Sequence, residues 1–409
     1  MVVRIIERVF RSYQYVLHPT ARQHRGLEHL LAVQCEAYNA ALEERREAFK
    51  RGIRVHRFDQ FAQLKDLHES RPDFMQYGVT VARGTLTRLD RAFCAFYRRV
   101  AAGQRPGFPR FKARGRFDCA SYEDTSGWKL KEADRRLYLQ GIGHVRIGLH
   151  RPLQGIPKTL HVRRQGRRFT ATIQCADVPA QPLPPTGRQA GFDLGVVNLA
   201  TSSEGEVFDN PRDLARGKAA LVGAQQALSL KKRGSKRRRR AREALSRQHR
   251  KIANRRRDGL HQLSRRLVDA HDVLVFEDLA VTNVVRSARG TVEAPGCMVA
   301  QKAGLNREIL AAAWGGLIRM VAYKAEEAGR ELILVNPRHT SQRCSSCGHT
   351  EAANRPSQAT FACRACGLEL HADCNAARNV LWLGSSLRRE KREAETGAAD
   401  RAGYFLAGP

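Results

Sequence analysis

The sequence predicts an α/β protein of several domains. Its 409 residues are more than one hydrophobic core usually supports, so two to four domains are expected, and 42% hydrophobic residues are enough to build them. Short apolar bursts at residues 191–196 and 273–279 are typical of strands buried in a sheet, whereas residues 27–42 carry apolar side chains at helical spacing. Two Cys-x2-Cys pairs add a metal-bound module.

The chain is strongly basic, with 72 Lys and Arg against 40 Asp and Glu and a formal net charge of +32. Such a surplus repels itself unless a polyanion is bound, and nucleic acid is the favoured partner because phosphate contacts release counterions. An anionic membrane surface is the weaker alternative. The sequence has no apolar run of about 18 residues and no signal-peptide pattern, so we expect a cytoplasmic protein with no membrane partner.

Strand and helix patterns alternate along the N-terminal half. Residues 1–17 and strand-like pieces within 126–178 predict a small barrel or sheet. Between them, two helices are predicted by stripes of apolar residues: Leu27, Leu31, Cys35, Tyr38 and Leu42 in the first, and Leu86, Leu89, Phe93, Phe96 or Tyr97, and Val100 in the second. Prolines between Pro179 and Pro185 predict a linker, with a new domain from about Gly187.

A loop after the second helix is a candidate nucleic-acid contact. It interleaves aromatic and basic side chains, among them Arg105, Phe108, Arg110 and Lys112. Such side chains can stack on bases and pair with phosphates. A proline-fixed loop that packs its two phenylalanines against the protein is an equal alternative.

A second candidate is the basic block of residues 231–257, which includes Lys236, Arg237, Arg255 and Arg256. A run this dense is costly without a counter-polyanion, so phosphate contact is favoured over a solvated or disordered basic arm. A targeting signal stays open as a further alternative.

Three carboxylates stand at places that suit a catalytic site. Asp193 interrupts an apolar strand, where an acid is costly to bury unless it is paired or metal-bound. Glu277 ends a second apolar strand, and Asp373 precedes a predicted helix. Taken singly, Asp193 could be a turn residue and Asp373 a helix cap. Taken together, the three predict a site for two Mg²⁺ ions about 4 Å apart that hydrolyses phosphodiesters.

Four cysteines predict a structural zinc site. Cys344 and Cys347 form one pair and Cys363 and Cys366 the other, 15 residues apart, with a glycine after the second cysteine of each pair. Four thiolates fill a tetrahedral Zn²⁺ and leave no open position, so this metal would not be catalytic. The remaining cysteines are scattered, which is typical of small core residues in a reducing compartment.

These residues together resemble the TnpB family, the RNA-guided nucleases of insertion-sequence transposons, which are related to the compact type V CRISPR effectors. The resemblance spans about residues 1–383 and is most specific in the C-terminal half. The matching segments are Gly191–Gly195, Phe276–Leu279, Thr340–Gly348, Asp373–Ala377, Leu260–Ser264 and Tyr323–Glu326, with Leu17–Thr20, Tyr38-Asn39 and Gly107–Lys112 in the N-terminal half.

The resemblance implies a definite architecture and activity. A RuvC-like nuclease domain of RNase H fold would occupy residues 184–339 and 371–385, with a zinc ribbon at 340–370. A wedge-like β-barrel would occupy 1–17 and 115–183, with a helical recognition insert at 18–114, and residues 386–409 would form a disordered tail. Asp193, Glu277 and Asp373 match the family's catalytic acids. The implied partners are a guide RNA from the transposon end and a double-stranded DNA target with a short flanking motif, with one protein molecule per guide.

Three other functions stay open from sequence. One is an RNase H-fold transposase that joins strands, and another is a nuclease-inactive zinc-ribbon regulator that binds RNA or DNA. The third is a miniature CRISPR effector, which only the neighbouring genes would separate from a transposon nuclease. The presence of all three acids argues against the inactive regulator.

Overall fold

The computed structural model describes residues 8–405, so residues 1–7 of the first predicted strand and 406–409 of the predicted tail lie outside it. The chain divides into two compact units, one ending at Pro179 and the other beginning at Ala180. Among the described helices, none combines the length and the apolar character needed to span a bilayer.

The N-terminal unit is built on one antiparallel seven-stranded sheet. Its strands are β1 (Arg8–His18), β2 (Cys119–Tyr122), β3 (Trp128–Lys131), β4 (Arg136–Leu139), β5 (Gly143–Gly148), β6 (Ile156–Gln165) and β7 (Arg168–Pro179). They lie in the order β2-β6-β7-β1-β5-β4-β3. The long strands alternate buried and exposed residues, which is typical of a sheet with one covered face.

The sheet is curled almost into a barrel. Its two edge strands, β2 and β3, are joined by residues 123–127, which can span at most about 21 Å. Seven strands laid flat at about 4.8 Å spacing would place those edges about 29 Å apart. A Cβ at Gly127, beside β3, would lie 3.0 Å from Tyr122 on β2, so the two edges approach each other.

Helices occupy the insertion between β1 and β2: α1 (Ala21–Lys50), α2 (Arg57–Ala62), α3 (Leu64–Ser70), α4 (Pro72–Met75) and α5 (Val79–Ala101). A capping box begins α1, in which Thr20 and Gln23 satisfy each other's backbone N–H groups. The stripe predicted for α1 is buried throughout. On α5 the stripe is buried only as far as Phe93, and Tyr97 and Val100 are exposed.

The C-terminal unit contains a mixed five-stranded sheet in the order β10-β9-β8-β11-β12. Its strands are β8 (Gln189–Asp193), β9 (Asn198–Ser202), β10 (Val207–Asp209), β11 (Val273–Glu277) and β12 (Glu331–Val335). The first three strands form an antiparallel meander, while β8, β11 and β12 are parallel. Every residue of β11 is buried, as expected for a central strand covered on both faces.

The helices of this unit are α6 (Asp213–Ser229), α7 (Lys236–Ala270), α8 (Val281–Val284), α9 (Val299–Ala312), α10 (Trp314–Ala328) and α11 (Ala372–Phe405), and both faces of the sheet are covered by helices. On one face Phe192 and Phe276 stack at a centroid distance of 4.9 Å and pack with residues of α7 and α10. On the other face Val273 and Val275 pack with Val380 of α11. Before α11 lie the short strands β13 (Thr360–Ala362) and β14 (Glu369–His371), which pair with each other.

The prediction of a disordered tail is wrong for residues 386–405, which continue α11 to Phe405. The segment is rich in Ala, Arg and Glu, which are strong helix formers, so its polar composition is compatible with helix as well as with disorder.

Candidate active site and zinc module

Asp193 and Glu277 lie side by side at the ends of neighbouring parallel strands. Phe192 of β8 pairs with Phe276 of β11, so the two following residues are level with each other, about 4.8 Å apart across the sheet. Side chains alternate along a strand, and both acids therefore share the face opposite to the stacked phenylalanines. This is the face that α11 covers.

Asp373 is brought to the same edge by the start of α11. It lies in the first turn of the helix, directly after β14. One turn later the helix backbone meets β8 at Gly191, where a Cβ would lie 2.3 Å from the carbonyl oxygen of Ala377. Residues 373 and 377 share a helix face, as residues 191 and 193 share a strand face, so this contact directs Asp373 towards Asp193.

The pKa of Asp193 reflects its burial and its closeness to the other two acids. Burial, followed by the negative charges of Glu277 and Asp373, raises the pKa of Asp193 to about 7. Burial also raises the pKa of Glu277, while a hydrogen bond from Thr340 opposes that rise. Asp193 is thus a buried carboxylate whose ionisation near neutral pH is unfavourable without a positive partner.

Arg355 is a cation beside the cluster that the sequence did not reveal. Its Nη2 lies 3.7 Å from Oδ1 of Asp373, and its charge lowers the pKa of Asp193 against the larger effect of burial. It lies between the two cysteine pairs, directly after a 3₁₀ turn at Ala352–Asn354. Thr340 is a second residue that sequence reasoning missed, because its partner Glu277 is 63 positions away.

The cysteine cluster fits the predicted zinc site. The Sγ atoms of Cys344 and Cys366 lie 3.6 Å apart, as do those of Cys347 and Cys363. A tetrahedron with Zn–S bonds of about 2.3 Å has edges of about 3.8 Å, so the four sulfurs are arranged for zinc. Backbone N–H groups, first that of Cys366, lower the pKa of Cys363 to about 6 and so favour the thiolate that a metal requires.

The carboxylates are spaced more widely than the sulfurs. In residues 8–405 the four cysteines are the one group of His, Cys, Asp and Glu with ligand atoms all within 4.8 Å of one another. The three carboxylates supply hard oxygen atoms, which are the ligands that divalent cations take in proteins. Oxygen ligands of this kind favour Mg²⁺ or Mn²⁺.

The residues predicted to contact nucleic acid differ in solvent exposure and in whether they bond to the protein's main chain. Lys236, Arg237 and Arg255 of α7 are exposed, whereas Arg256 is half-buried and its Nη1 donates to the carbonyl oxygen of Leu310 at 3.3 Å. A neighbouring arginine, Arg238, donates to the carbonyl oxygens of Leu228 and Lys231 and so closes the turn between α6 and α7.

The loop of the N-terminal unit packs Phe108 against α5 and leaves two of its basic side chains exposed. Phe108 packs edge-on against Phe93 and Phe96, yet remains 46% exposed, and Arg105 and Arg110 are exposed. The backbone of Lys112 is fixed by two hydrogen bonds with the Asn39 amide of α1. The loop is therefore anchored while part of its aromatic and basic surface is open to solvent.

The fold and the site define a class, an α/β protein with an acidic cluster at its strand ends and an inserted four-cysteine module. Two family models match these parts: one described as "Probable transposase" matches residues 172–288, and "Cas12f1-like, TNB domain" matches residues 314–380.

Relatives that match most of the chain identify its family. "Putative RNA-guided DNA endonuclease InsQ" of Escherichia coli K12 is 38% identical over 303 residues, which cover 74% of each chain. "Putative RNA-guided DNA endonuclease" of Streptomyces pristinaespiralis is 29% identical over 407 residues, which cover 96% of each chain. The chain belongs to the TnpB family of RNA-guided DNA endonucleases.

A solved structure agrees at the level of the fold. The mini-RNA-guided endonuclease CRISPR-Cas_phi3 superposes with a TM-score of 0.50 over 93% of each chain, at 9% sequence identity. This likeness extends the family assignment to a shared fold and to nothing finer.

Proposed function

We propose that this protein is an RNA-guided DNA endonuclease that hydrolyses phosphodiesters at the cluster of Asp193, Glu277 and Asp373. The observation that carries the proposal is the convergence of these acids on one sheet edge, where the charges of Glu277 and Asp373 add to burial in raising the pKa of Asp193. The strand order β10-β9-β8-β11-β12, with acids at the ends of β8 and β11, supports a RuvC-like domain of RNase H fold.

The donor set fits divalent metal. Three carboxylates supply hard oxygen ligands, and a bound cation would offset the burial and the repulsion that raise the pKa of Asp193. Two such ions, held by Asp193, Glu277 and Asp373, would activate the attacking water and stabilise the leaving 3′ oxygen. Hydrolysis adds water across the P–O bond and leaves a 3′-hydroxyl and a 5′-phosphate.

The side chains of the protein would divide the remaining tasks. Asp193 and Glu277 would hold metal from the rigid sheet and Asp373 from the helix start. Arg355 lies where it can contact a phosphate next to the acids. The four cysteines would hold one structural Zn²⁺ that keeps Arg355 and the start of α11 in place.

A basic surface would carry the nucleic acids. A guide RNA from the transposon end would provide sequence specificity by base pairing, and the protein would read a short motif beside the DNA target. Exposed cations on α7 and on the loop at 105–112 are the proposed phosphate contacts, with one protein molecule bound per guide.

The proposal is tested by isolating the protein with its native RNA. We expect one abundant RNA species encoded beside the gene, and we expect an RNA with a replaced targeting segment to redirect cleavage to a new plasmid sequence. Plasmids should carry randomised flanking sequence so that the motif can be read from the cut products. Cleavage that needs no RNA, or joining of transposon ends without RNA, would instead identify a transposase.

A further inference from the structure

A buried hydroxyl fixes one oxygen of Glu277. Thr340 is 3% exposed, and its Oγ1 lies 2.6 Å from Oε1 of Glu277 and 3.0 Å from the carbonyl oxygen of Pro337. A hydroxyl donates one hydrogen, and the carboxylate, at the shorter distance, is the stronger acceptor. The last torsion of a glutamate side chain is soft, so an untethered carboxylate would sample many orientations. With Oε1 held by Thr340, the plane of the carboxylate is fixed and the lone pairs of Oε2 are left for another partner.

Thr340 is in turn held by α11. The Asn379 amide donates to the carbonyl oxygen of Thr340 at 2.9 Å and to that of Arg343 at 2.6 Å. One turn earlier, the Asn375 amide donates to the same Arg343 oxygen at 2.8 Å and accepts from the N–H of Ser345 at 2.9 Å. Both asparagines are almost completely buried, at 0% and 2% exposure, so these bonds are shielded from water.

The helix that holds Thr340 also carries Asp373. A hydrogen-bonded path therefore runs from Glu277 through Thr340 to Asn379 and, by the shared carbonyl oxygen of Arg343, to Asn375 at the start of α11. The path uses the segment that leads into the first zinc ligand, Cys344. The orientation of one acid and the placement of another are thus set by a single hydrogen-bonded unit.

We propose that Thr340 is a positioning residue for the metal-binding carboxylate of Glu277, and that Asn375 and Asn379 lock Thr340 to the helix of Asp373. This inference rests on the proposed function, because it assigns the residues a purpose at the same site. Partners that hydrogen-bond to metal ligands typically contribute about 10–100-fold to metal affinity.

The test compares Thr340→Val, which keeps the shape and removes the donor, with Thr340→Ser, which keeps the donor. Mn²⁺ binding to the full RNA-bound protein, without DNA, is measured by titration calorimetry, together with zinc content and thermal stability. We expect Thr340→Val to weaken Mn²⁺ binding by about 10–100-fold and to raise the Mg²⁺ concentration for half-maximal cleavage in proportion. Thr340→Ser should stay close to the unaltered protein.

Two comparisons keep the outcome decisive. Should Thr340→Val lose zinc, Thr340→Ala removes the hydroxyl without a new methyl group and repeats the measurement. The inference is overturned if Glu277→Gln abolishes Mn²⁺ binding but the Thr340→Val or Thr340→Ala protein, with its zinc retained, binds Mn²⁺ with unaltered affinity. If Glu277→Gln also leaves Mn²⁺ binding unaltered, the carboxylate cluster is no metal site, and the proposed function fails together with the inference.

Discussion

Gly191 lies against the backbone of α11 so closely that a Cβ would approach the carbonyl oxygen of Ala377 to 2.3 Å and the nitrogen of Leu381 to 2.5 Å. These are main-chain atoms, so no side-chain rotation could relieve the contact. The glycine therefore allows the helix to rest directly on β8, which places Asp373 beside Asp193.

Gly191→Ala should push α11 away from the sheet. We expect a loss of about 1–3 kcal/mol of unfolding free energy, as for other overpacked sites, and a much larger loss of cleavage because Asp373 moves with the helix. Thermal unfolding and plasmid cleavage measure the two effects. Gly223→Ala on α6 is the matched control, since nothing lies within 4 Å of its Cβ, and it should be neutral or slightly stabilising.

Metal should stabilise the protein more at pH 8 than at pH 6. Asp193 has a pKa near 7 in the folded state against 3.8 ordinarily, so its contribution to stability is greatest in acid. That contribution falls as pH rises from about 4 to 7, because the folded state must then hold a buried carboxylate that Glu277 and Asp373 repel. Divalent metal removes this penalty only once the proton has left.

The measurement is the shift in melting temperature caused by Mg²⁺ at each pH. In Asp193→Asn, which cannot ionise, the difference between the two pH values should be much smaller. An equal Mg²⁺ shift at both pH values in the unaltered protein would argue against metal binding at this carboxylate.

Removal of zinc should abolish cleavage through loss of structure. The small core around Phe361 includes Cys344 and Cys363 themselves, so the module depends on its metal. Cys363→Ser should remove the zinc and displace Thr340 and Arg355. We therefore expect cleavage to fall at least about 100-fold, which is on the order of the loss when an enzyme loses one hydrogen-bond donor to its transition state. Zinc content and cleavage are measured together.

Cys374→Ser serves as the control for this change. Cys374 is a buried cysteine on α11 that does not belong to the four-sulfur cluster, and its variant should retain both zinc and activity. Full cleavage by a zinc-free Cys363→Ser protein would separate the module from the active site.

Charge on α7 should govern the salt dependence of RNA binding. Each phosphate contact contributes about 0.9 to the slope of log affinity against log salt for duplexes and about 0.7 for single strands. Replacing the exposed Arg237 and Arg255 by Gln should therefore lower the slope by about 1.4–1.8. Arg238→Gln should mainly lower the melting temperature, since Arg238 is engaged by main-chain oxygens of the turn. A double variant with an unaltered slope would remove α7 from the RNA-binding surface.

The sequence reveals residues whose roles follow from local pattern. Alternation along the strand predicts that Glu277 shares a face with Val273 and Val275, and both valines do face α11. The cysteine spacing likewise predicts a cluster that the structure assembles. In each case the informative residues are a few positions apart, so the geometry of a strand or a knuckle determines their arrangement.

Other features depend on tertiary contacts and could not be predicted. Thr340 and Arg355 lie in loops, and only the folding of the zinc module brings them to the acids. The sequence pattern of α7 does not show which of its arginines are exposed. Arg238 and Arg256 bond to main-chain oxygens, and only the structure separates them from their exposed neighbours. The helix beyond residue 386 was missed because a charged, alanine-rich segment is compatible with either helix or disorder.

Asp193→Ala in the RNA-bound protein is the sharpest test of the active site, with cleavage of a matching DNA target and binding of that target measured in parallel. We expect target binding to be retained while cleavage in Mg²⁺ falls by several orders of magnitude, because the carboxylate that interacts with both other acids is gone. Cleavage at the unaltered rate by this variant would contradict the assignment of the active site.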